Sequence, residues 1–205
     1  MKRIVDEVVD SILMAGLVEV EVSARHVHLT QEQVEILFGE GAVLHPKRPL
    51  SQPGQFLSEE RVNLVGKKRT LENVAVLGPV RKAAQVELSV SDKTSIGVYA
   101  PNRESGDVEG AGEITIVGPK GSLVDCPAAI VAHNHIHVPV NIAKKVKLKD
   151  GERVSVVLLT ERPLTLDDVV IRVSEQARFK MHIDFDEANA AMVSGFTLGK
   201  IIRHE

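Results

Sequence analysis

A pair of histidines separated by one β-branched residue occurs twice in this chain, within residues 23–29 (SARHVHL) and 132–138 (AHNHIHV). Because side chains alternate between the two faces of a strand, both imidazoles of each pair lie on one face. That arrangement can bind one metal ion from one side. Two copies predict two metal sites, or one site built from two related halves. The four histidines are His26, His28, His135 and His137.

Composition is that of a globular chain. The 205 residues suffice for one large domain or two small ones, and the net charge of −3 gives no reason to expect nucleic acid or an anionic membrane as a partner. A single cysteine, Cys126, excludes a disulfide framework and a cysteine-rich zinc site. No apolar run approaches the roughly 20 residues that span a membrane. We therefore expect a cytosolic protein.

The N-terminus has the apolar spacing of an amphipathic helix. Apolar residues follow a helical period over residues 3–15, acidic residues lie opposite them, and Gly16 ends the pattern. We treat residues 1–17 as an N-terminal amphipathic helix. Two interpretations stay open: the helix packs on the body of the fold, or it is a detachable docking segment.

The remaining sequence favours strands. Short β-branched runs separated by Gly, Pro and charged turns predict a mainly β fold with short α-helices, of barrel or sandwich type. Helices are expected after each histidine pair, at 31–38 and 140–146, and Thr30 with Gln33 forms a capping box for the first. The predicted strands are residues 18–22, 62–65, 74–77, 86–90, 114–117, 154–159, 169–173 and 181–185.

The two halves are related beyond the histidines. TLENV at 70–74 and TLDDV at 165–169 are 95 residues apart, and the same offset aligns Glu87 with His182. We infer an internal duplication that forms two related β-barrel-like halves, and an exchange of strands between the halves stays open. The predicted halves are residues 18–110 and 111–205, with approximate boundaries.

Each half thus offers a histidine pair and one further ligand. Three protein ligands with an open position are typical of catalytic rather than structural zinc, although iron, cobalt or nickel accept the same residue types. His133 shares strand parity with His135, so it is either a neighbour of the metal ligands or a solvated surface residue. Arg25 is expected to face away from the histidines, towards a neighbouring site or an ion pair. The two ligand sets are His26, His28, Glu87 and His135, His137, His182.

Arg81 precedes Glu87 by six residues, an even spacing that places both side chains on one face if the strand is straight. A guanidinium beside a metal suits phosphate or carboxylate. Neither a P-loop nor a dinucleotide-binding glycine motif is present. Ser95 and Cys126 lack the sequence context of a nucleophile, so covalent catalysis is not indicated.

Several motifs, in order, resemble the phosphate propanoyltransferase family, the propanediol-utilization type of phosphotransacylase. The resemblance runs from about residue 18 to residue 195. The motifs are SARHVHL at 23–29, QPGQF at 52–56, LGPVR at 77–81 with QVE at 85–87, SGD at 105–107, VGPKG at 117–121, MHID at 181–184 and DEANAA at 186–191.

The resemblance implies two barrel-like halves with a dinuclear zinc site, two zinc ions per chain held by the two ligand sets. It implies the conversion of acyl-CoA and phosphate into acyl phosphate and CoA, with a propanoyl or acetyl group and direct attack of phosphate. Arg81 is then the phosphate-binding residue. Ser23, Leu77 and Asn189 match positions that line the CoA surface in the family.

One position departs from the family. The second motif usually reads Arg-His-Ile-His, and Asn134 replaces that arginine here. Two alternatives therefore stay open: a dinuclear metallohydrolase of thioesters or phosphate esters, and an inactive metal-binding structural homologue. The partners expected are acyl-CoA or CoA and phosphate, a second copy in a homo-oligomer, and microcompartment shell or cargo through residues 1–17. The expected location is the bacterial cytoplasm, free or inside a microcompartment.

Overall fold

The computed structural model describes residues 2–204, and the side chains of residues 4–204. Strands dominate, and the helices are short apart from the first. The helices are α1 (Lys2–Met14), α2 (Gln31–Phe38), α3 (Val90–Ile96), α4 (Val140–Val146) and α5 (Phe185–Ala190). The strands are β1 (Leu17–Val22), β2 (His26–His28), β3 (Pro46–Pro49), β4 (Phe56–Val65), β5 (Thr70–Gly78), β6 (Gln85–Glu87), β7 (Asn102–Arg103), β8 (Gly112–Val117), β9 (Ser122–Ala132), β10 (His135–Pro139), β11 (Arg153–Leu158), β12 (Leu164–Ser174), β13 (Lys180–Ile183) and β14 (Thr197–Arg203).

One compact unit comprises the chain up to Ser23 and from Asn134 onward. Its six strands form a closed barrel in the order β1-β13-β10-β12-β11-β14. Closure gives each strand a hydrogen-bonded neighbour on both sides and leaves no open edge. Buried aliphatic side chains from these strands fill the core. The largest are Ile136, Leu158, Ile171, Met181 and Ile183.

The other compact unit comprises Ala24–His133. Strand β8 pairs with both β4 and β9, so six strands close a second ring in the order β4-β5-β2-β6-β9-β8. Strands β3 and β7 add to β4 and β9 outside the ring. This ring has an apolar core of its own, whose largest members are Leu29, Leu37, Leu64, Ile96, Ile114 and Ile116.

Corresponding strands of the two rings make the same pairs. The strand with the histidine pair is parallel to one neighbour and antiparallel to the other: β2 with β5 and β6, β10 with β12 and β13. Continuing around the rings matches β9 with β1 and β8 with β14. The chain is therefore built as two repeats of one topology, and the prediction of a mainly β fold with two related barrel-like halves is confirmed.

The first strand of each repeat belongs to the ring of the other. Strand β1 leads into β2 but pairs with β13 and β14, and β9 leads into β10 but pairs with β6 and β8. The unit of β1 and β10 is consequently discontinuous in sequence, and the two units divide the chain at positions other than those of the predicted halves 18–110 and 111–205. Sequence spacing identified the repeat, but the destination of each first strand depends on hydrogen bonds far along the chain.

The repeat extends to the backbone conformation. Asn73 and Asp168, 95 residues apart in the TLENV and TLDDV motifs, both adopt a left-handed conformation, with φ of 57° and 62°. The pairing register shifts beside each of them, between Val62 and Leu64 in β4 and between Val154 and Val156 in β11. Asparagine and aspartate tolerate this region better than other residues with a side chain. The motif therefore encodes the same bulge twice.

Local predictions agree with the structure where patterns are strong. Helices α2 and α4 occupy the predicted residues, and the capping box of Thr30 with Gln33 forms. The strands expected at 86–90 and 181–185 are wrong at their C-terminal ends, because Val90 and Phe185 are the first residues of α3 and α5. The long strand β9, and β14 near the C-terminus, were not predicted.

Helix α1 has an exposed apolar face. Its side chains at Ile4, Val5 and Val8 are 66 %, 55 % and 53 % exposed, so the described residues of its unit do not cover them. The contacts of the helix lie nearer its C-terminal end, where Asp10 forms an ion pair with Lys145. Of the two interpretations left open, packing on the body of the fold does not apply to the side chains of Ile4, Val5 and Val8.

Within the described residues, the longest helix falls well short of a membrane span.

Candidate metal centres

The first ligand group lies in the ring of β2. His26 and His28 point to one side of this strand, and their ring centroids are 4.9 Å apart. Strand β6 pairs antiparallel with β2 in a register that places Glu87 opposite His26, 3.5 Å from His26 Nε2 to Glu87 Oε2. All three side chains are buried, and their ligand atoms lie within 4.8 Å of one another.

Burial and charge control protonation in this group. Burial acts to raise the pKa of Glu87, but His26 and His28 outweigh it, and the pKa lies far below its usual value. Burial acts to lower the pKa of His26, yet the Glu87 carboxylate raises it above the usual 6.5. Burial, His26 and Arg81 lower the pKa of His28 to about 2. The group therefore contains a carboxylate and at least one neutral imidazole at neutral pH.

A buried network fixes the Glu87 carboxylate. Gln85 Nε2 and Ser105 Oγ both donate to Oε1, at 2.6 and 2.7 Å. Gln85 is held in turn by the backbone N–H of Gly106, which donates to its Oε1 at 2.7 Å. With Oε1 occupied by two donors, Oε2 is the oxygen that faces His26. Hydrogen-bonded partners of this kind orient carboxylate ligands.

The second ligand group has the same framework in the other unit. His135 and His137 lie on β10, and the antiparallel strand β13 places His182 opposite His135. The Nε2 atoms of His135 and His137 are 3.1 Å apart, and His182 lies 4.9 to 5.4 Å from both rings by centroids. The three ligand atoms again lie within 4.8 Å of one another.

Both donor sets suit a transition metal. Each predicted triplet is brought together by strand pairing, and the atoms that converge are imidazole nitrogens, joined by a carboxylate oxygen in one group. Two imidazole nitrogens as close as those of His135 and His137 need a shared proton or a shared cation between them. Nitrogen with carboxylate oxygen is a donor set that zinc accepts, so the residues fit the expected metal.

Arg81 lies in a loop near the first group and not, as predicted, on a strand with Glu87. Strand β5 ends at Gly78 and β6 begins at Gln85, so Arg81 lies in a loop and not on one straight strand with Glu87. Its backbone N–H donates to Leu29 O at 2.8 Å, which attaches the loop to the residue following the His26–His28 strand. The charge of its guanidinium acts on both histidines: it helps to lower the pKa of His28 and partly opposes the rise in the pKa of His26 that Glu87 causes.

The residues beside the histidine pairs have defined partners. Arg25 forms a two-point ion pair with the buried Asp92, with Nε–Oδ2 of 3.0 Å and Nη2–Oδ1 of 2.9 Å, as one of the two expectations held. His133 Nδ1 lies 3.1 Å from Asn102 Nδ2, within the unit that ends at His133. Strand β9 ends at Ala132 and β10 begins at His135, so His133 and His135 do not lie on the one continuous strand that the parity argument assumed.

Asn134, which directly precedes the second histidine pair, also has a partner. Its Nδ2 donates to Glu187 Oε1 at 2.6 Å. Glu187 is the third residue of α5, and its other oxygen accepts from the Asp184 N–H at 2.9 Å in a capping box. The sequence contained a signal for the two helix caps, because the capping-box patterns S-x-x-D at 89–92 and D-x-x-E at 184–187 are also 95 residues apart. We did not predict these helices.

The residues expected at the CoA surface are distributed over both units. Ser23 ends the first segment of one unit, where its N–H donates to Ile183 O at 2.8 Å, and Asn189 lies exposed on α5 of that unit. Leu77 is half-buried on β5 of the other unit. Their role in binding CoA stays a prediction.

Comparison with known proteins identifies the family. The family model described as phosphate propanoyltransferase matches residues 19–194. A phosphate propanoyltransferase of Clostridioides difficile is 45 % identical over 99 % of this chain and 97 % of its own length. Those of Leptotrichia buccalis and Listeria monocytogenes are 49 % and 44 % identical, over 97 % and 98 % of this chain and 94 % of their own lengths in each case. Repeat, ligand groups and sequence thus agree, and the chain belongs to the phosphate propanoyltransferase family.

Proposed function

We propose that this protein is a phosphate acyltransferase that converts a short-chain acyl-CoA, propanoyl or acetyl, and phosphate into acyl phosphate and CoA. The observation that carries the proposal is the pair of three-ligand groups on equivalent strands, the first buried and the second partly buried. These groups lie in a chain that matches phosphate propanoyltransferases along nearly its whole length.

We assign one zinc ion to each ligand group, held by His26, His28 and Glu87 in one unit. The other ion is held by His135, His137 and His182. When bound, such an ion supplies Lewis-acid chemistry, lowering the pKa of a coordinated thiol or polarising a carbonyl or phosphoryl oxygen. Gln85 and Ser105 keep the Glu87 carboxylate oriented in the absence and in the presence of the ion.

Arg81 supplies the positive charge for phosphate. Its guanidinium offers up to five N–H donors, which can bind two phosphate oxygens together. Its charge acts on both His26 and His28, which supports a phosphate site beside the first ligand group. The hydrogen bond from the Arg81 backbone to Leu29 O keeps the loop in place. Positioning and charge stabilisation together then account for much of the rate enhancement.

The reaction needs no covalent intermediate with the protein. A phosphate oxygen attacks the thioester carbonyl, a C–O bond forms, and the C–S bond breaks as CoA leaves as a thiolate. The thiolate then takes up the proton that phosphate gives up. Cys126 does not compete as a nucleophile, because burial raises the pKa of its thiol and keeps it protonated at neutral pH.

The decisive experiment is an assay of CoA release from acetyl-, propionyl- and butyryl-CoA, with and without phosphate, together with metal analysis of the protein. Phosphate-dependent release supports the transferase. Release that does not need phosphate would identify a metallohydrolase, and metal binding without turnover of any of the three would identify a structural homologue. A higher KM for CoA in Asn189→Ala would support the predicted CoA surface.

Arg81→Ala tests the phosphate site. Loss of a hydrogen bond to a charged group costs about 1.5–3 kcal/mol, so we expect the KM for phosphate to rise about 10- to 100-fold. Lys82→Ala is the matched control, because Lys82 is the exposed neighbour in the same loop. Equal phosphate KM values in the two variants would remove the role assigned to Arg81.

The exposed apolar face of α1 favours the docking interpretation of residues 1–17. We place the enzyme in the bacterial cytoplasm, with α1 as the segment that would direct it to a microcompartment. A reporter fused to residues 1–17 should then co-localise with shells in cells that make them. Diffuse reporter signal in such cells would argue against targeting by this helix.

A further inference from the structure

Each ligand group is followed by a helix whose first turn is bonded back to the residue before the histidine pair. In the first repeat the contact joins Arg25 and Asp92, and in the second it joins Asn134 and Glu187. We call these contacts the bridging pairs. Arg25 and Asn134 directly precede the first histidine of their groups, and Asp92 and Glu187 follow the third ligand by five residues.

Both acidic residues of the bridging pairs also cap the N-terminus of their own helix. Asp92 is the third residue of α3 and accepts from the Ser89 N–H at 3.3 Å, as Glu187 accepts from the Asp184 N–H at 2.9 Å. Each carboxylate therefore connects the strand of the third ligand, through its helix cap, to the strand of the histidine pair. The connection spans the end of the strand pair at which His26 faces Glu87, and His135 faces His182.

The long side chain is on the histidine strand's side of the first bridging pair and on the helix side of the second. A long arginine meets a short aspartate in the first repeat, and a short asparagine meets the longer glutamate in the second. The second pair thus retains the bridge with an amide in place of a guanidinium. The Glu187 carboxylate also fixes the amide orientation, because turning the amide over would place Asn134 Oδ1 against Glu187 Oε1.

We propose that Asn134 is a positioning residue for the second ligand group: its hydrogen bond to Glu187 holds β10 and α5 so that His135 and His182 face one metal ion. The proposal rests on the metal binding proposed above. It assigns Asn134 a supporting function at the second ligand group of this chain. Partners that orient metal ligands typically contribute a factor of about 10 to 100 to metal affinity.

The test uses zinc alone and a pair of nearly isosteric changes. Asn134→Asp puts two carboxylates in contact and removes the donor. Glu187→Gln keeps the helix cap, as Gln33 does in α2, and provides an amide donor. In the double variant the introduced glutamine can therefore donate to the introduced aspartate, which restores the bridge in the opposite direction. Affinity is measured by competition with a chromophoric chelator in a His28→Ala background, in which the first group lacks a ligand.

We expect Asn134→Asp to weaken zinc binding at the second group by about 10- to 100-fold, and the double variant to recover most of that loss. Asn141→Asp, which adds the same charge at an exposed position of the same unit, should leave the affinity unchanged. Asp92→Asn should weaken the first group and not the second, measured in a His137→Ala background. Thermal unfolding of the metal-free proteins separates a change in the site from a change in the fold.

Unchanged zinc affinity in Asn134→Asp would overturn the proposal. It would also be overturned by equal losses in Asn134→Asp and Asn141→Asp, or by a lowered melting temperature of the metal-free protein with no change in affinity. If the unaltered protein binds no zinc in either group, the metal assignment itself fails. That result is distinguishable, because the variants are compared only against a protein that binds.

Discussion

The two ligand groups have the same backbone arrangement but differ in the residue type of the third ligand. In both, a histidine pair faces a third ligand across an antiparallel strand pair of the same register. The first group has a carboxylate held by Gln85 and Ser105, whereas the second has a third imidazole. The first group therefore has a carboxylate where the second has an imidazole, so a cation bound there would be less electrophilic than one bound at the second group. The repeated strand pairing gives both groups the same geometry, and the identity of the third ligand, Glu87 or His182, makes their charge unequal.

Removing the third ligand is expected to have the largest effect on this comparison. Glu87→Ala and His182→Ala should each lose one metal ion per chain. Each should also lower phosphate-dependent CoA release more than about 100-fold, because even the partners of metal ligands contribute about 10 to 100-fold. Metal analysis and the acyl-CoA assay give both values.

His133→Ala is the control for these variants, since His133 is close to the second pair in sequence but belongs, with its partner Asn102, to the unit of the first ligand group. It should keep both ions. If it lost a metal ion as His182→Ala does, the assignment of three ligands per group would be wrong.

Gln85→Leu should affect the first group alone. It removes one of the two donors to Glu87 Oε1 from a buried site, so we expect zinc affinity there to fall about tenfold or more. The second group, which has no carboxylate ligand, should be unaffected. Chelator competition in His28→Ala and His137→Ala backgrounds reports the two groups separately, and equal losses in both would contradict the network's local role.

The pH dependence of zinc binding should reveal the carboxylate. Histidine binds metal in its neutral form, and Glu87 raises the pKa of His26 above 6.5. A proton therefore competes with zinc at the first group below that raised pKa, and affinity falls by up to about tenfold per pH unit as the pH decreases. In Glu87→Gln the pKa of His26 should fall, so this decline should begin at lower pH.

The smallest effect is expected at the repeated bulge. Asn73→Ala and Asp168→Ala should each destabilise the protein by about 1 kcal/mol, because alanine is less tolerant of the left-handed conformation. Thermal unfolding measures both. Similar losses would confirm that the two motifs have equivalent conformational roles, while a loss at one position only would show that the repeat has diverged in its backbone.

The sequence predicts those parts of the fold and of the ligand groups that depend on residues close together in the chain or on the repeat. Strand alternation placed His26 with His28, and the offset of 95 found Glu87 and His182, because both rules depend on short-range geometry and on duplication. Arg81 was assigned to a straight strand, although a loop positions it. The helices that begin at Val90 and Phe185 were missed, since their apolar first residues continued the strand pattern.

Non-local pairing explains the rest. Nothing in the residues of β1 or β9 states which ring they join, because that choice depends on partners more than a hundred residues away for β1 and on two separate strands for β9. The bridging pairs could not be predicted either. Their members are 67 and 53 residues apart, and the first pair has side chains of other lengths and charges than the second.

Strands β1 and β9 each pair in the ring of the other repeat, and this exchange affects how such a chain can arise and be divided. A polypeptide with a single repeat lacks one strand of its ring and could close it with the first strand of another molecule, as a domain-swapped dimer. Joining two repeats converts that exchange into an intramolecular event at high effective concentration. Cutting the chain in the 118–121 turn would therefore yield two fragments that fold by mutual complementation, not two autonomous domains.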